Sequence, residues 1–285
     1  MASRTSPTVR RRRLAAELRR LRQGTGRTRE EVAEWVGCAP ATVTKIENGS
    51  ATARPADVSL LLELYGVTGT LRDELMALAR EARRRGWWYQ YADTFHQGFD
   101  VYVGLEEEAS SISAYQAEVI GGLLQTEAYA RALFTAELPD VSQDDIERQV
   151  TVRMKRQERL AAGDAPCARA VVNEAALWRE VGGRATMREQ LRHLVKVSQT
   201  PETTVQVLPF AAGAHPGMHG AFTVLGFPEE GDRDVVYVEY RQGSLYLERQ
   251  ADKEAYVRLF DHLCARALDP EESRALISRL ADQMT

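Results

Sequence analysis

The stretch from Thr28 to Gly49 constrains this chain more than any other, because its signals demand two short helices joined by a tight turn. Thr28 with Glu31 three residues on is a capping box: the hydroxyl accepts from the Glu31 N–H, and the carboxylate reaches back to the Thr28 N–H. Val32, Ala33 and Val36 then fall on one helical face, and Gly37 ends the helix. After a turn of about three residues, Pro40 stands at a first helical position, where no N–H is needed, and the helix runs to Asn48-Gly49.

Flanking signals complete a small helical unit. Over residues 10–22, Leu14, Leu18 and Leu21 share one face among arginines, and Gly24 and Gly26 close the segment. Pro55 opens a helix carrying Val58, Leu61, Leu62 and Tyr65. Thr70 with Asp73 is placed to cap another carrying Leu71, Leu75, Leu78 and Ala79. Residues 1–85 therefore read as a compact all-α domain of five short helices, the second and third forming a helix-turn-helix. Trp35 is expected to pack in the core or against a second domain, and Cys38 to be a small buried or turn residue.

The order Ala33, Gly37, Ile46 and the closing Ile46-Glu47-Asn48-Gly49 closely resembles the helix-turn-helix of Xre-type, phage-repressor-like regulators. The resemblance implies a lambda-repressor-like DNA-binding domain whose third helix enters the major groove. It assigns base reading to Pro40, Ala41, Thr42, Thr44 and Lys45. Lys45 is suited to guanine O6 or N7, and Ala41 or the Thr44 methyl to a thymine methyl. That set holds no Arg, Asn or Gln, so DNA shape and dimer spacing are expected to carry much of the specificity. Phosphate contacts are assigned to Thr28, Arg29, Asn48 and Arg54, with Arg10, Arg11, Arg12 and Arg13 as a basic arm.

Charge divides the chain in the same place. Residues 1–85 hold 17 basic and 10 acidic side chains, 17 − 10 = +7, within a chain of 37 basic and 41 acidic. The remaining 200 positions therefore carry 20 − 31 = −11. A polyanion is the expected partner of the first part only. No apolar run approaches the roughly 20 residues of a membrane span, and no secretory pattern follows the N-terminal arginines. Cys38, Cys167 and Cys264 are odd in number and far apart, which favours a reducing cytoplasm over a disulfide framework.

Residues 86–285 read as an α+β effector domain, helical over 86–165 and built of a small mostly antiparallel sheet plus helices over 166–285. It opens with Trp87, Trp88, Tyr89, Tyr91, Phe95, Phe99 and Tyr102, a cluster better suited to a domain seam than to a ligand pocket. Helices are expected over 105–119 and 126–136. Ser142 with Asp145 caps a third, with Ile146, Val150 and Met154 inward and Arg148, Arg153, Arg156 and Arg159 outward. A short apolar run at 168–172 precedes helices at 174–181 and 186–198. Strands follow at 203–208, 221–227, 234–240 and 244–248, the last two joined through Arg241-Gln242-Gly243. Helices over 251–268 and 270–284 end the chain, the latter capped by Asp269 with Glu272.

This second part also resembles a known domain. Leu105-Glu106, Gly122-Leu-Leu-Gln-Thr-Glu-Ala-Tyr-Ala-Arg131, Asn173-Glu174, Met187, Gln190-Leu191, 205–210, Gly220-Ala-Phe222, 236–239 and Glu272-Ser273 are similar to the C-terminal domain of unknown function that follows an Xre-type helix-turn-helix in actinomycete regulators. That group includes WhiJ-like developmental regulators and antitoxin-like proteins encoded beside small partners. The resemblance implies transcriptional control, in the sense of repression. A single helix-turn-helix domain buries too little surface for tight specific binding, so a homodimer on an inverted repeat is expected. The second domain would sense a ligand or bind a small protein partner. The alternative is an antitoxin-like protein that sequesters its partner and autoregulates its operon.

No catalytic, metal or cofactor site is expected. His215 and His219 lie in a Gly/Pro loop that cannot hold both on one helical face, and no HExxH, GxSxG or P-loop pattern is present. As residues of a candidate effector pocket, Trp88, Tyr91, Glu174, His215, His219 and Glu239 remain.

Overall fold

The computed structural model describes residues 7–138, 140–228, 234–241 and 243–284. The chain packs as two units that divide between Tyr89 and Gln90.

In the first unit, α1 (Pro7–Gly24), α2 (Arg29–Val36), α3 (Pro40–Glu47), α4 (Pro55–Leu64) and α5 (Gly69–Glu81) surround one core. Leu14, Leu18, Val32, Ala33, Val43, Ile46, Val58, Leu61, Leu62, Leu75 and Ala79 are all buried there. The capping box at Thr28 forms as the spacing predicts. The one expected at Thr70 does not. Gly69, at φ +63°, turns the chain into α5 ahead of it, and Thr68 is the N-cap, without a side-chain bond. Trp35 is 52% exposed rather than packed, because Val32, Ala33 and Val36 already occupy the inward arc of α2.

The second unit runs α6 (Phe99–Glu108), β1 (Ser111–Gln116), α7 (Glu127–Glu137), α8 (Gln143–Gln157), β2 (Cys167–Asn173), α9 (Glu174–Trp178), α10 (Arg184–Val197), β3 (Thr203–Leu208), β4 (Phe222–Gly226), β5 (Val235–Tyr240), β6 (Gly243–Leu247), α11 (Gln250–Arg266) and α12 (Pro270–Gln283). The six described strands form one sheet in the order β3-β2-β1-β4-β5-β6, parallel across β1, β2 and β3 and antiparallel from β1 through β6. Of the expected hairpin Arg241-Gln242-Gly243, Gln242 lies outside the described residues.

The segment 86–165 is not wholly helical, which corrects the expected layout. Ile112 and Tyr115 sit three apart, a spacing that fits a helix, yet 111–116 is a strand bonded on both sides, to β2 and β4. Those two neighbours lie about 55 and 110 residues along the chain, so their pairing overrides a local period. A second correction concerns α8. Arg156 and Arg159 are buried, at 6% and 9% exposure, and Arg153 is half-buried. Arg156 turns inward because Glu106 of α6 waits there with two acceptors, 2.7 and 2.8 Å away. Arg159 donates to the Glu107 and Asp164 carbonyls.

Helices cover both sides of the sheet. On one, Val172, Val205 and Val207 pack with Tyr129, Met187, Leu191, Ile277 and Leu280. On the other, Tyr115, Val171, Phe222, Val224 and Val236 meet Phe260 and Leu263 of α11.

Candidate nucleic-acid interface and effector cleft

The helix-turn-helix is held by the residues that gave it its signature. Gly37, at φ +73°, donates to the Ala33 and Glu34 carbonyls and ends α2. Ala39 is extended, and Pro40 starts α3. Val43 and Ile46 enter the core. Glu47 is almost wholly buried and accepts from Arg22 at 2.5 Å and Arg29 at 3.0 Å, tying the end of α3 to α1 and α2. Gly49 adopts φ +69°, and an added Cβ there would lie 3.6 Å from Arg12. Burial, and after it the Glu47 charge, pushes the Tyr65 hydroxyl up to about 12.

Anchoring of the inward face leaves Pro40, Ala41, Thr42 and Lys45 exposed together along the start and middle of α3. Thr44 is half-buried, and its hydroxyl donates to the Pro40 carbonyl at 3.2 Å. Thr28 and Asn48 are exposed at the ends of the motif. Two of the expected phosphate ligands are engaged inside the unit: Arg29 with Glu47, and Arg54 with both Asp57 oxygens at 2.9 Å. Arg10, Arg11, Arg12 and Arg13 lie within α1 rather than on a free arm, and Arg10 is paired with Glu81 of α5 at 3.0 Å.

The six residues expected around an effector pocket are not gathered in one place. Trp88 belongs to the first unit. Tyr91 lies beside Lys155, its ring 5.3 Å from the ammonium. Glu239 is exposed and bonds His96 at 2.9 Å. Glu174 starts α9 and accepts from the Phe210 N–H at 2.7 Å and the Trp178 indole at 3.1 Å. His215 stacks edge-on against Tyr115, and burial, then Arg266, holds its imidazole below the ordinary value. His219 is exposed. Among the described residues, no three His, Cys, Asp or Glu side chains are grouped to hold a metal ion.

The structure instead opens a cleft elsewhere, on the face of the sheet that carries Ala114 and Ala170. It is half open: the room for the centre of a water-sized sphere is about 50 Å³, within about 480 Å³ of unfilled space that includes open solvent. Its wall is the turn Gly122–Leu124, which glutamines pin in place. Gln125 donates to the Ile120 carbonyl, Gln157 to Gly122 and Gln125, and Gln190 to Leu124, while Gln190 also accepts from the Thr126 N–H. A Cβ at Gly122 would come within 2.9 Å of the Arg153 guanidinium, which would have to shift to admit it. Sequence reading missed this cleft. The small residues Ala114, Ala168 and Ala170 were its signal, but with 111–116 taken as helix their common face was invisible.

These features place the first unit in a recognised class: a helix-turn-helix domain model matches residues 13–75. The model of a domain of unknown function, DUF5753, matches residues 99–279, well over half the chain, and the chain belongs to that family. No curated protein and no solved structure matches it.

Proposed function

We propose that this protein is a sequence-specific DNA-binding transcriptional regulator of the Xre type, a cytoplasmic repressor that acts by binding and not by catalysis. The observation that carries this is α3, whose exposed residues Pro40, Ala41, Thr42 and Lys45 sit on a helix locked from behind by Ile46 and Glu47. A rigid helix with its N-terminal half free is the geometry that enters a major groove. The positive excess of residues 1–85 supplies non-specific attraction to phosphates. Lys45 and Thr44 read base edges, and Thr28 and Asn48 position the backbone, with Arg29 and Arg54 adding charge while they hold their carboxylate partners.

One such unit is a small reader, so a homodimer on an inverted repeat supplies the specificity, its half-sites about one helical turn apart. The second unit is the effector module and modulates the dimer, in the manner of WhiJ-like regulators. Selection of sequences from a random duplex library by the full chain tests this. Recovery of an inverted repeat is the expected result, and recovery without sequence preference overturns the regulator reading.

An antitoxin-like role has one observation in its favour. Trp178, Phe210 and Met218 are 48%, 61% and 69% exposed on the second unit, large apolar groups of the kind that anchor a protein partner. Co-expression with the product of an adjacent small reading frame distinguishes it: a stable complex that releases operator DNA favours sequestration.

A further inference from the structure

The cleft in the second unit has an apolar floor, unused polar groups and the Arg156 guanidinium at its rim. The floor is a matter of register. Across the sheet, Thr223, Ala114 and Ala170 stand side by side in one row, and Ile112, Ala168 and Thr203 in the next. Alanines and threonines thus occupy the middle of the face beside Ile112, while Val205 ends the first row and Val172 and Val207 fill the one beyond it. Leu123, Leu124 and Leu160 form the sides, and Tyr102 and Arg156 the rim. A half-open hollow that is mostly apolar with a few polar groups has the character of a small-molecule site, whose ligand would lie partly in solvent.

Its polar groups are left unused by the protein. Among the described residues, neither the Thr203 and Thr223 hydroxyls nor the Gln116 amide makes a hydrogen bond. Arg156 gives Nε and Nη2 to Glu106, and its plane is held over the rings of Phe99 and Tyr102 at 5.1 and 5.2 Å. Nη1 is left over. Behind the Gly122 wall sits a second guanidinium, Arg153, whose hydrogen bond goes to the neutral Gln125 at 2.5 Å and which has no carboxylate within ion-pair distance. Burial, then the nearby Arg156 charge, lowers the Arg153 guanidinium to about 10, which still leaves it charged at neutral pH.

We propose that the cleft binds a small amphipathic acid, its apolar body over Ala114, Ala168 and Ala170 and its acidic group at the Arg156 rim, and that this occupancy is the input of the effector module. The last clause rests on the regulator reading above; the binding itself does not. A preformed apolar floor supplies affinity without ordering cost, and the fixed guanidinium selects acid over neutral analogue.

The test uses the full chain with 8-anilinonaphthalene-1-sulfonate as the probe and octanoate and octan-1-ol as competitors. One saturable site is expected, with octanoate displacing the probe at about one-tenth the concentration that octan-1-ol needs. Ala170→Leu fills the floor and is expected to lose probe binding at least about tenfold with an unchanged far-ultraviolet circular dichroism spectrum. Ala114→Leu gives the same test from the adjacent strand. Equal displacement by acid and alcohol in the unmodified chain overturns the acid assignment, whether or not either variant folds. Undiminished probe binding in a folded leucine variant overturns the site. Duplex DNA binding by the same samples separates the two readings: loss of the probe with DNA selectivity retained supports a discrete cleft, whereas a chain that takes the probe and shows no DNA selectivity removes the regulator reading alone.

Discussion

Arg22 donates through Nε to Glu47 Oε1 at 2.5 Å, and this bond fastens the last turn of α1 to the end of α3. Nη2 of the same arginine reaches Oε2 at 3.1 Å, so the pair is bidentate. Glu47→Ala removes the acceptor and leaves the Arg22 guanidinium, 11% exposed, without its counter-charge. Loss of one partner of a buried pair costs about 3–5 kcal/mol. The first unit is expected to melt at a much lower temperature in Glu47→Ala, with α3 no longer fixed for DNA. A melting temperature equal to that of the unmodified chain would show that the core alone positions the helix.

Lys45→Ala separates base reading from phosphate attraction. Lys45 is exposed on α3, away from the Glu47 anchor. A base contact is worth about 1–3 kcal/mol of discrimination, so operator affinity should fall by more than affinity for random duplex. Fluorescence anisotropy on both DNAs at one salt concentration checks this. Equal losses on the two would make Lys45 a phosphate contact.

Gly37 and Gly24 form a matched pair, since a Cβ at either meets nothing within 4 Å. Only Gly37 has a left-handed backbone, at φ +73°. Gly37→Ala is expected to cost about 1–2 kcal/mol by denaturant unfolding. Gly24→Ala, at the end of a helix, should be neutral or stabilise by up to ~1 kcal/mol. Equal costs at both would point to side-chain crowding instead of backbone conformation.

Ser273 is fully buried and its hydroxyl accepts from the Val207 N–H at 2.9 Å, capping β3 at the sheet edge from α12. Ser273→Ala leaves that N–H buried and unpaired, at a cost of about 1–3 kcal/mol. Hydrogen exchange at Val207 should accelerate more than exchange in β1.

His193 of α10 supplies a pH dependence. Burial, and then the Lys196 charge, holds its imidazole below the ordinary 6.5. The unfolded chain therefore takes up this proton at a higher pH than the folded one does. The stability that depends on neutral His193 is complete above pH 6.5 and drains away as pH falls below it. Urea midpoints at pH 7.5 and 5.5 should drop further for the unmodified chain than for His193→Gln, and parallel drops would assign the loss elsewhere.

Local signals carried the first unit well. The Thr28–Glu31 box, Pro40 at a helix start and Gly37 at a helix end act within one turn of chain, so residue identity alone is enough to read them. The Ser142 and Asp269 caps were legible for the same reason. Reading failed where distance along the chain mattered. The strand at 111–116 has no strong strand pattern of its own, and β2 and β4 make it one. The arginines of α8 read as a solvated face until Glu106, 50 residues away, turned Arg156 inward. Glu174, His215 and Glu239 were singled out as chemically capable groups, but Glu174 and Glu239 bond their own neighbours, and His215 packs its ring against Tyr115.

By itself, then, the sequence determined the helix-turn-helix, the outward positions of its second helix and the charge contrast between the two parts of the chain, because caps, periodicity and net charge are properties of short windows or of simple counts. The cleft was decided by tertiary structure alone. Alanine at 114, 168 and 170 is unremarked in a linear reading. It becomes a floor only when β1 and β2, from distant parts of the chain, set those methyl groups in register, with a buried ion pair holding Arg156 at the edge.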